Sequence, residues 1–260
     1  MTRLRYDKSH WSRRKDTGKA LEEYLNLSQK EVNRIMIEFL KKLTGNVAGK
    51  EILDYGGGAG IMSIFYAENG ANVTLVDAEE NALSVAMLYA EKRHVKNRIK
   101  IINSEKFPKY LINKKYDIII AKDVIEHIEN DQEFLINLSN CQDKGGVLLL
   151  STQNKFSLNY ILEGSYQKYR CKNLTWCGWD TTHLRFYTPW SLKCKLIKAG
   201  YTPEKLASTY IIPYDIFSWL LLLRFNIYTP ALYYFDMLFG RLYPFNRIGW
   251  NFVVRATKNI

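Results

Sequence analysis

The sequence predicts a doubly wound α/β domain on a largely parallel sheet. Three observations predict it. From Lys50 onward, short apolar runs alternate regularly with longer helical patterns. The first run, Glu51-Ile-Leu-Asp-Tyr55, ends in an acid and breaks into Gly56-Gly-Gly-Ala-Gly60. The second run, Asn72-Val-Thr-Leu-Val-Asp77, closes on another acid. Brief Ile/Leu/Val runs bounded by turn residues are how parallel strands buried on both faces read.

Taken in order, residues 20–43 carry apolar positions at helical spacing: Leu21, Tyr24 and Leu25, then Val32, Ile35, Met36, Phe39 and Leu40. Ser28 with Glu31 three residues on reads as a capping box. Strands are expected at 50–55, 72–77, 98–103, 116–121 and 146–152, and helices at 60–69, 79–93, 130–141 and 189–199. Thr188-Pro189 starts the last of these helices, with Pro at its first position. Residues 153–188 do not read as a standard crossover; they form a long insertion with Phe156, Tyr160, Tyr166, Tyr169, Trp176 and Trp179. Residues 211–245 are dense in aromatic and aliphatic side chains and read as two amphipathic helices around Pro230. The run from Gly249 to Thr257 reads as a final strand. The chain thus divides into a basic N-terminal segment and helix (1–45), a core (46–210) that includes loop 153–188, and an apolar helical insertion with the last strand (211–260).

The glycine turn asks for a nucleotide-type ligand. Glycine there permits positive φ and close approach of the backbone. A dinucleotide fingerprint needs G-x-G-x-x-G, but counting from Gly56 or Gly58 puts Ile61 or Ser63 in the third place. A phosphate loop needs Lys-Ser or Lys-Thr after the glycines, and neither follows. What remains is Asp54-x-Gly56-x-Gly58-x-Gly60 with Asp77 downstream. A carboxylate ending the second strand can accept hydrogen bonds from both ribose hydroxyls. Taken alone, Asp77 also reads as a helix cap.

At these residues the chain resembles the class I S-adenosylmethionine (SAM)-dependent methyltransferases. Asp123-Val-Ile-Glu-His127, after the fourth strand, resembles the segment at that place in ubiquinone-biosynthesis O-methyltransferases and their type 11/12 relatives. Gly146 to Asn154 is similar to the family's fifth strand. The resemblance covers roughly residues 50–155. It implies a Rossmann-like seven-stranded sheet whose last strand is antiparallel, with a helical, aromatic-rich insertion before that strand. It implies SAM as cofactor, with contacts from Asp54, Gly56, Gly57, Gly58, Gly60, Asp77, Ala78, Ser104, Glu105, Lys122 and Asp123. In the quinone-type enzymes an Arg or Lys near the place of Arg34 approaches the cofactor's carboxylate; Arg34 is the candidate for that contact, or a surface Arg. The segment Trp179-Asp-Thr-Thr-His183-Leu-Arg185 also recurs in type 11/12 enzymes, where insertions after strands four and five build the acceptor pocket. His183 and Arg185 are therefore candidates for that pocket, or for holding the loop to the core. Methyl transfer to a hydroxyl benefits from a base, and His is the usual choice. His127 or His183 is the candidate, with Glu126 as orienter; a purely structural role for His127 stands beside this.

Composition sets the remaining bounds. The formal net charge is +11, yet no [DNS]-P-P-[YFW] motif and no Pro-Cys nucleophile points to a nucleic-acid substrate. Cys141, Cys171, Cys177 and Cys194 make no C-x-x-C pair, and with His183 they match no zinc spacing, so no metal is expected. Free thiols fit a reducing cytoplasm. Met1 to Lys19 carries seven Lys/Arg against two Asp and no signal-peptide core. With Tyr6, His10 and Trp11 it reads as a lid over the cofactor, or as a basic arm. The 211–245 region is too interrupted by charge to span a membrane. It suits a membrane interface, an acceptor pocket, a dimer contact or a packed subdomain, and it leaves the oligomeric state open. The expected activity is methyl transfer, at oxygen, to a small-molecule, glycan or lipid-linked acceptor. A prenylated quinone precursor is an alternative acceptor, and a non-catalytic SAM-fold protein is the alternative to an enzyme. The expected location is cytoplasmic, with possible attachment at the inner face of the membrane.

Overall fold

The computed structural model describes residues 14–29, 31–176, 178, 180, 182–212 and 230–259. Seven strands form one sheet: β1 (Glu51–Tyr55), β2 (Asn72–Asp77), β3 (Ile99–Asn103), β4 (Ile118–Lys122), β5 (Val147–Gln153), β6 (Tyr201–Thr209) and β7 (Asn251–Lys258). Their order is β3-β2-β1-β4-β5-β7-β6. β1 to β5 are parallel, and β7 is antiparallel to both β5 and β6. The strand order reverses between β1 and β4, which makes the crevice beyond their carboxyl ends the expected ligand position of such a sheet.

The helices are α1 (Thr17–Gln29), α2 (Glu31–Thr44), α3 (Ile61–Glu68), α4 (Glu80–Lys92), α5 (Asp131–Asn140), α6 (Leu158–Tyr169), α7 (Pro189–Lys198) and α8 (Pro230–Phe239). Alternation along the central strands splits the core in two. Ile52, Ile118, Ile120 and Leu149 face one side, where Ile35, Phe39 and Leu40 of α2 and Ile64 of α3 cover them. Leu53, Ile119, Leu148 and Leu150 face the other, covered by Leu135 and Leu138 of α5 and Leu192 and Leu196 of α7. Burial on both faces is why these strands read as unbroken apolar runs.

Three expectations change. Ser28 is not an N-cap: it lies inside α1, and its hydroxyl donates to the Leu25 carbonyl at 2.8 Å. The 153–188 segment contains a helix of its own, α6, capped by Ser157, whose side chain accepts from the Tyr160 amide. The edge strand β6 was not apparent from the sequence. Of the apolar C-terminal region, 213–229 lie outside the described residues. α8 packs on α2 and β6, and its buried Asp236 accepts from the Tyr210 and Ile211 amides. Tyr6, His10, Trp11, Cys177 and Trp179 also lie outside the described residues. No helix among the described residues is long and apolar enough to cross a membrane.

Candidate active site

A cavity of about 410 Å3 opens at the strand-order reversal, between the turn after β1, the end of β2 and the turn after β4. The turn after β1 is shaped by glycine. Gly56 has φ +73°, and a Cβ there would sit 2.3 Å from Val124 Cγ2, so the turn can pass under the β4 loop only without a side chain. Gly58 has φ +55° and borders the cavity with no atom near a would-be Cβ. Its amide donates to Asp77 Oδ2 at 2.8 Å. A Cβ at Gly58 would therefore fill ligand space rather than protein. Gly57 also lines the cavity, and Gly60 stands at the N-cap of α3.

Three carboxylates border this end and the next. Asp54 is buried and accepts from the Ser63 hydroxyl at 2.6 Å. Burial, aided by the negative charge of Asp77, pushes its carboxyl up to about 6. Asp77 receives the Gly58 amide on one oxygen and the Glu79 amide on the other, at 2.9 Å. It thus ties the glycine turn to the start of α4 while facing the cavity. Asp123 has a left-handed backbone, φ +54°, which is unusual for a residue other than glycine and recurs at functional sites. Its carboxylate is held by Lys122 Nζ at 2.6 Å and by the Ser151 hydroxyl at 2.9 Å. Burial opposes the charge on Asp123, but the Lys122 cation and these hydrogen bonds outweigh it and hold the carboxyl below its ordinary range.

Past Asp123 the chain makes a single 3-10 turn, Ile125–His127. Glu126 is fully buried there; its Oε2 accepts from the Thr152 hydroxyl at 2.9 Å. Burial, then the charge of Asp123, raises its carboxyl well above the ordinary range. His127 borders the cavity, with Nδ1 at 3.3 Å from both the carbonyl and the hydroxyl oxygens of Thr182. His183 is buried, stands edge-on to His127 with ring centres 4.6 Å apart, and has Nε2 at 3.6 Å from Asp180 Oδ2. The Leu184 amide donates to the Glu126 carbonyl at 2.8 Å, which docks the 180–187 loop onto the 3-10 turn.

The structure thus brings together Asp54, Gly56, Gly57, Gly58, Asp77, Lys122, Asp123, His127 and His183 around one cavity, with Glu126 directly behind the two histidines. It does not bring in Ala78, Ser104 or Glu105. Ala78 is exposed and its carbonyl accepts from Asn103, while Ser104 folds its hydroxyl onto the Lys106 carbonyl. Glu79 and Ala82 border the cavity instead. Arg34 stacks over the Tyr233 ring at 4.4 Å, and its neighbours Asn33 and Ile37 reach the cavity. Arg185 pairs with Asp131 at 2.9 Å and donates to the Glu129 carbonyl, so it fastens the loop to α5 rather than meeting a ligand. In 153–188 the Tyr160 ring packs against those of Trp176 and Phe186; among the described residues of that segment, only Asp180 and His183 border the cavity. Sequence reasoning missed Tyr24, whose hydroxyl accepts from the Ile61 amide at 3.2 Å and roofs the glycine turn from α1. Its place on the helix's apolar face hid that role.

A parallel five-stranded sheet extended by an antiparallel β7 and β6, with a glycine turn after β1 and an acid ending β2, is the fold of class I SAM-dependent methyltransferases. The magnesium protoporphyrin IX methyltransferase of Synechocystis PCC 6803, solved with bound SAH, superposes with a TM-score of 0.60 at 16% identity, over 94% of this chain and 96% of that one. A SAM-dependent methyltransferase from Mesorhizobium loti gives 0.59 at 15% identity, over 89% and 100%. Residues 28–206 match the family described as methyltransferase domain, and the chain belongs to that family. In sequence it is similar to a ubiquinone biosynthesis O-methyltransferase of Rickettsia canadensis (strain McKiel), 36% identical over 135 residues, which is 50% of this chain and 56% of that protein. The chain spans about half the length of the curated relatives it matches.

Proposed function

We propose that this protein is a SAM-dependent methyltransferase acting on an oxygen of a small-molecule acceptor. The observation that carries the reading is the single cavity shared by Gly56–Gly58, Asp77, Asp123, His127 and His183. The residues fit the cofactor: Gly58 leaves room for close backbone approach, and Asp77 presents a carboxylate at the end of β2 where ribose hydroxyls are met. Bound SAM supplies a methyl group on a positively charged sulfur, which suits a cavity bordered by Asp54, Asp77 and Asp123. The protein's work is then to align the acceptor and exclude water. Glu126, His127 and His183 stand at the end of β4, on the far side of β1 from Asp77, and there they act on the acceptor. One imidazole takes up the proton of the acceptor hydroxyl; Thr182 beside His127 and Asp180 beside His183 orient the rings, and the Glu126 carboxyl, bonded to Thr152, lies next to them. The names of the curated relatives favour an oxygen acceptor of the quinone-precursor type; glycan and lipid-linked acceptors remain within the same chemistry.

Calorimetric titration tests the cofactor half. Asp77→Ala is expected to weaken SAM binding by about tenfold or more, since a charged acceptor of hydrogen bonds contributes roughly 1.5–3 kcal/mol. NAD is expected not to bind. Unchanged SAM affinity in the variant would overturn the reading.

A second reading concerns attachment. Tyr234 and Leu238 of α8, with Leu242 and Tyr243 after it, are exposed beside Arg241 and Arg247. Aromatic and aliphatic side chains flanked by Arg suit an anionic membrane interface. Co-sedimentation with anionic vesicles, lost in Leu238→Glu, is the expected result; equal sedimentation of the variant would sink it.

A further inference from the structure

A second cavity, of about 550 Å3, shares no lining residue with the first. It lies against β6 and β7, between the first turn of α7 and the 3-10 turn Phe245–Arg247. It is larger than the cavity of about 410 Å3 at the glycine turn, and it falls in the size range of small-molecule sites.

Three cations converge on it from three elements: Lys193 of α7, Lys205 of β6 and Arg247 of the 3-10 turn. All are exposed, and among the described residues none has an acidic partner. Arg247 stands over the Tyr243 ring at 5.2 Å. Glu204 is the one acid on the wall among the described residues, and its carboxylate is already used. It pairs with Arg255 and accepts from the Thr257 hydroxyl at 2.6 Å. Arg255 also donates to the Leu43 carbonyl of α2, so the Glu204 charge is met toward the face of the sheet opposite α7. The cavity is thus left with a surplus of positive charge, which favours an anion.

The same cavity carries two flat apolar surfaces. Trp190 is 73% exposed and Phe156 is 57% exposed, and both line it. Trp190 and Lys193 stand three residues apart on α7 and share one face of that helix. A bare anion leaves the rings unused, and an apolar ligand leaves the cations unmet. A nucleoside diphosphate meets both: its base stacks on an aromatic ring, and its terminal phosphates accept from Lys and Arg.

We propose that the cavity between α7, β6 and the Phe245–Arg247 turn is a second ligand site, which takes a nucleoside diphosphate with its base on Trp190 and its phosphates among Lys193, Lys205 and Arg247. The site does not rest on methyl transfer, and the cofactor cavity has no part in it.

The test is calorimetric titration of the full-length chain with ADP, once without SAM and once with SAM at concentrations that fill the glycine-turn cavity. The expected result is one ADP per chain at this site in both conditions, with affinity falling as salt rises. Lys193→Gln together with Lys205→Gln is expected to weaken ADP binding by at least about tenfold. Trp190→Ala is expected to weaken it by about fivefold or more and to leave binding of inorganic pyrophosphate unchanged. The three side chains are exposed, so the variants are expected to keep the wild-type circular dichroism. NAD has a cationic nicotinamide ring and no terminal phosphate, and it is expected not to bind here. The variants locate the ADP at this cavity whether or not SAM is present. No ADP binding to the SAM-loaded wild type, or binding abolished by SAM, would overturn the site. Equal ADP affinity in the folded variants would overturn it as well. ADP and pyrophosphate held equally, with Trp190→Ala without effect, would overturn the nucleotide as the ligand.

Discussion

At the scale of single residues, neighbouring glycines make separable predictions. Gly56→Ala sets a methyl against Val124 at a left-handed backbone, and overpacking with strain is expected to cost roughly 2–4 kcal/mol in urea unfolding. Gly58→Ala meets no protein atom, so its cost is the backbone alone, about 1 kcal/mol. Its methyl points into ligand space, and the larger effect is expected in SAM affinity. Equal stability loss in both would mean that the turn is not shaped as described. Asp54 gives a pH prediction. Its folded carboxyl titrates at about 6, against an ordinary 3.8. The folded state therefore holds that proton more tightly than the unfolded chain does. The stability this contributes is fully present below pH 3.8 and is lost as pH rises through 6, by about 3 kcal/mol. Asp54→Asn keeps a partner for Ser63 and removes the charge, so its unfolding free energy is expected to change less over that interval. Parallel pH curves for wild type and variant would count against a carboxyl raised by burial at Asp54.

At the scale of elements, the parallel strands were legible because both their faces are buried. Ile118-Ile-Ile-Ala121 has no polar face to alternate with, and it ends at the acidic turn. β6 was not legible, because it is an edge strand with Thr202, Glu204 and Lys205 exposed and a register shift between Pro203 and Lys205. α6 hid for a related reason: it buries no residue fully, so its periodicity is weak. In the site, the glycine turn and Asp77 were legible because local backbone chemistry dictates them. Arg185 was legible only as one of two alternatives, and its partner Asp131 was not, because a long-range fold decides it. Asp131 shows how that fold is fastened. At the start of α5, it accepts from the Tyr187 hydroxyl at 2.7 Å and pairs with Lys195 at 2.8 Å and Arg185 at 2.9 Å, so it joins α5, the 180–187 loop and α7. Burial works against its charge, and Lys195, Tyr187 and Arg185 together hold the carboxyl below its ordinary range. Asp131→Ala leaves three partners unmet and is expected to cost roughly 3 kcal/mol. It should also loosen the loop that carries His183. A melting temperature within a degree of wild type would remove Asp131 from that role.

At the scale of the whole molecule, the cavity is built from widely separated parts of the chain, all of which precede β6. Tyr24 of α1, the turn after β1, Asp77 of β2, the turn after β4 and His183 of the loop before α7 all border it. Only the sheet brings them together, so a ligand seated there binds the folded chain and finds no equivalent site in the unfolded one. Such a ligand stabilises by mass action, about 2.7 kcal/mol at a hundredfold excess over its dissociation constant. For a chain of 260 residues, each kcal/mol moves the melting temperature by roughly 2–4 °C. SAM at that excess is therefore expected to raise the midpoint by about 5–10 °C. Because α1 contributes Tyr24 and packs on α4, the protection should extend to α1 amides in hydrogen exchange, well beyond the glycine turn. Asp77→Ala should lose most of the thermal shift at the same SAM concentration, and NAD should produce none. A shift of similar size with NAD would mean that the cavity recognises an adenine nucleotide in general, and would overturn the assignment of SAM as the ligand that this fold selects.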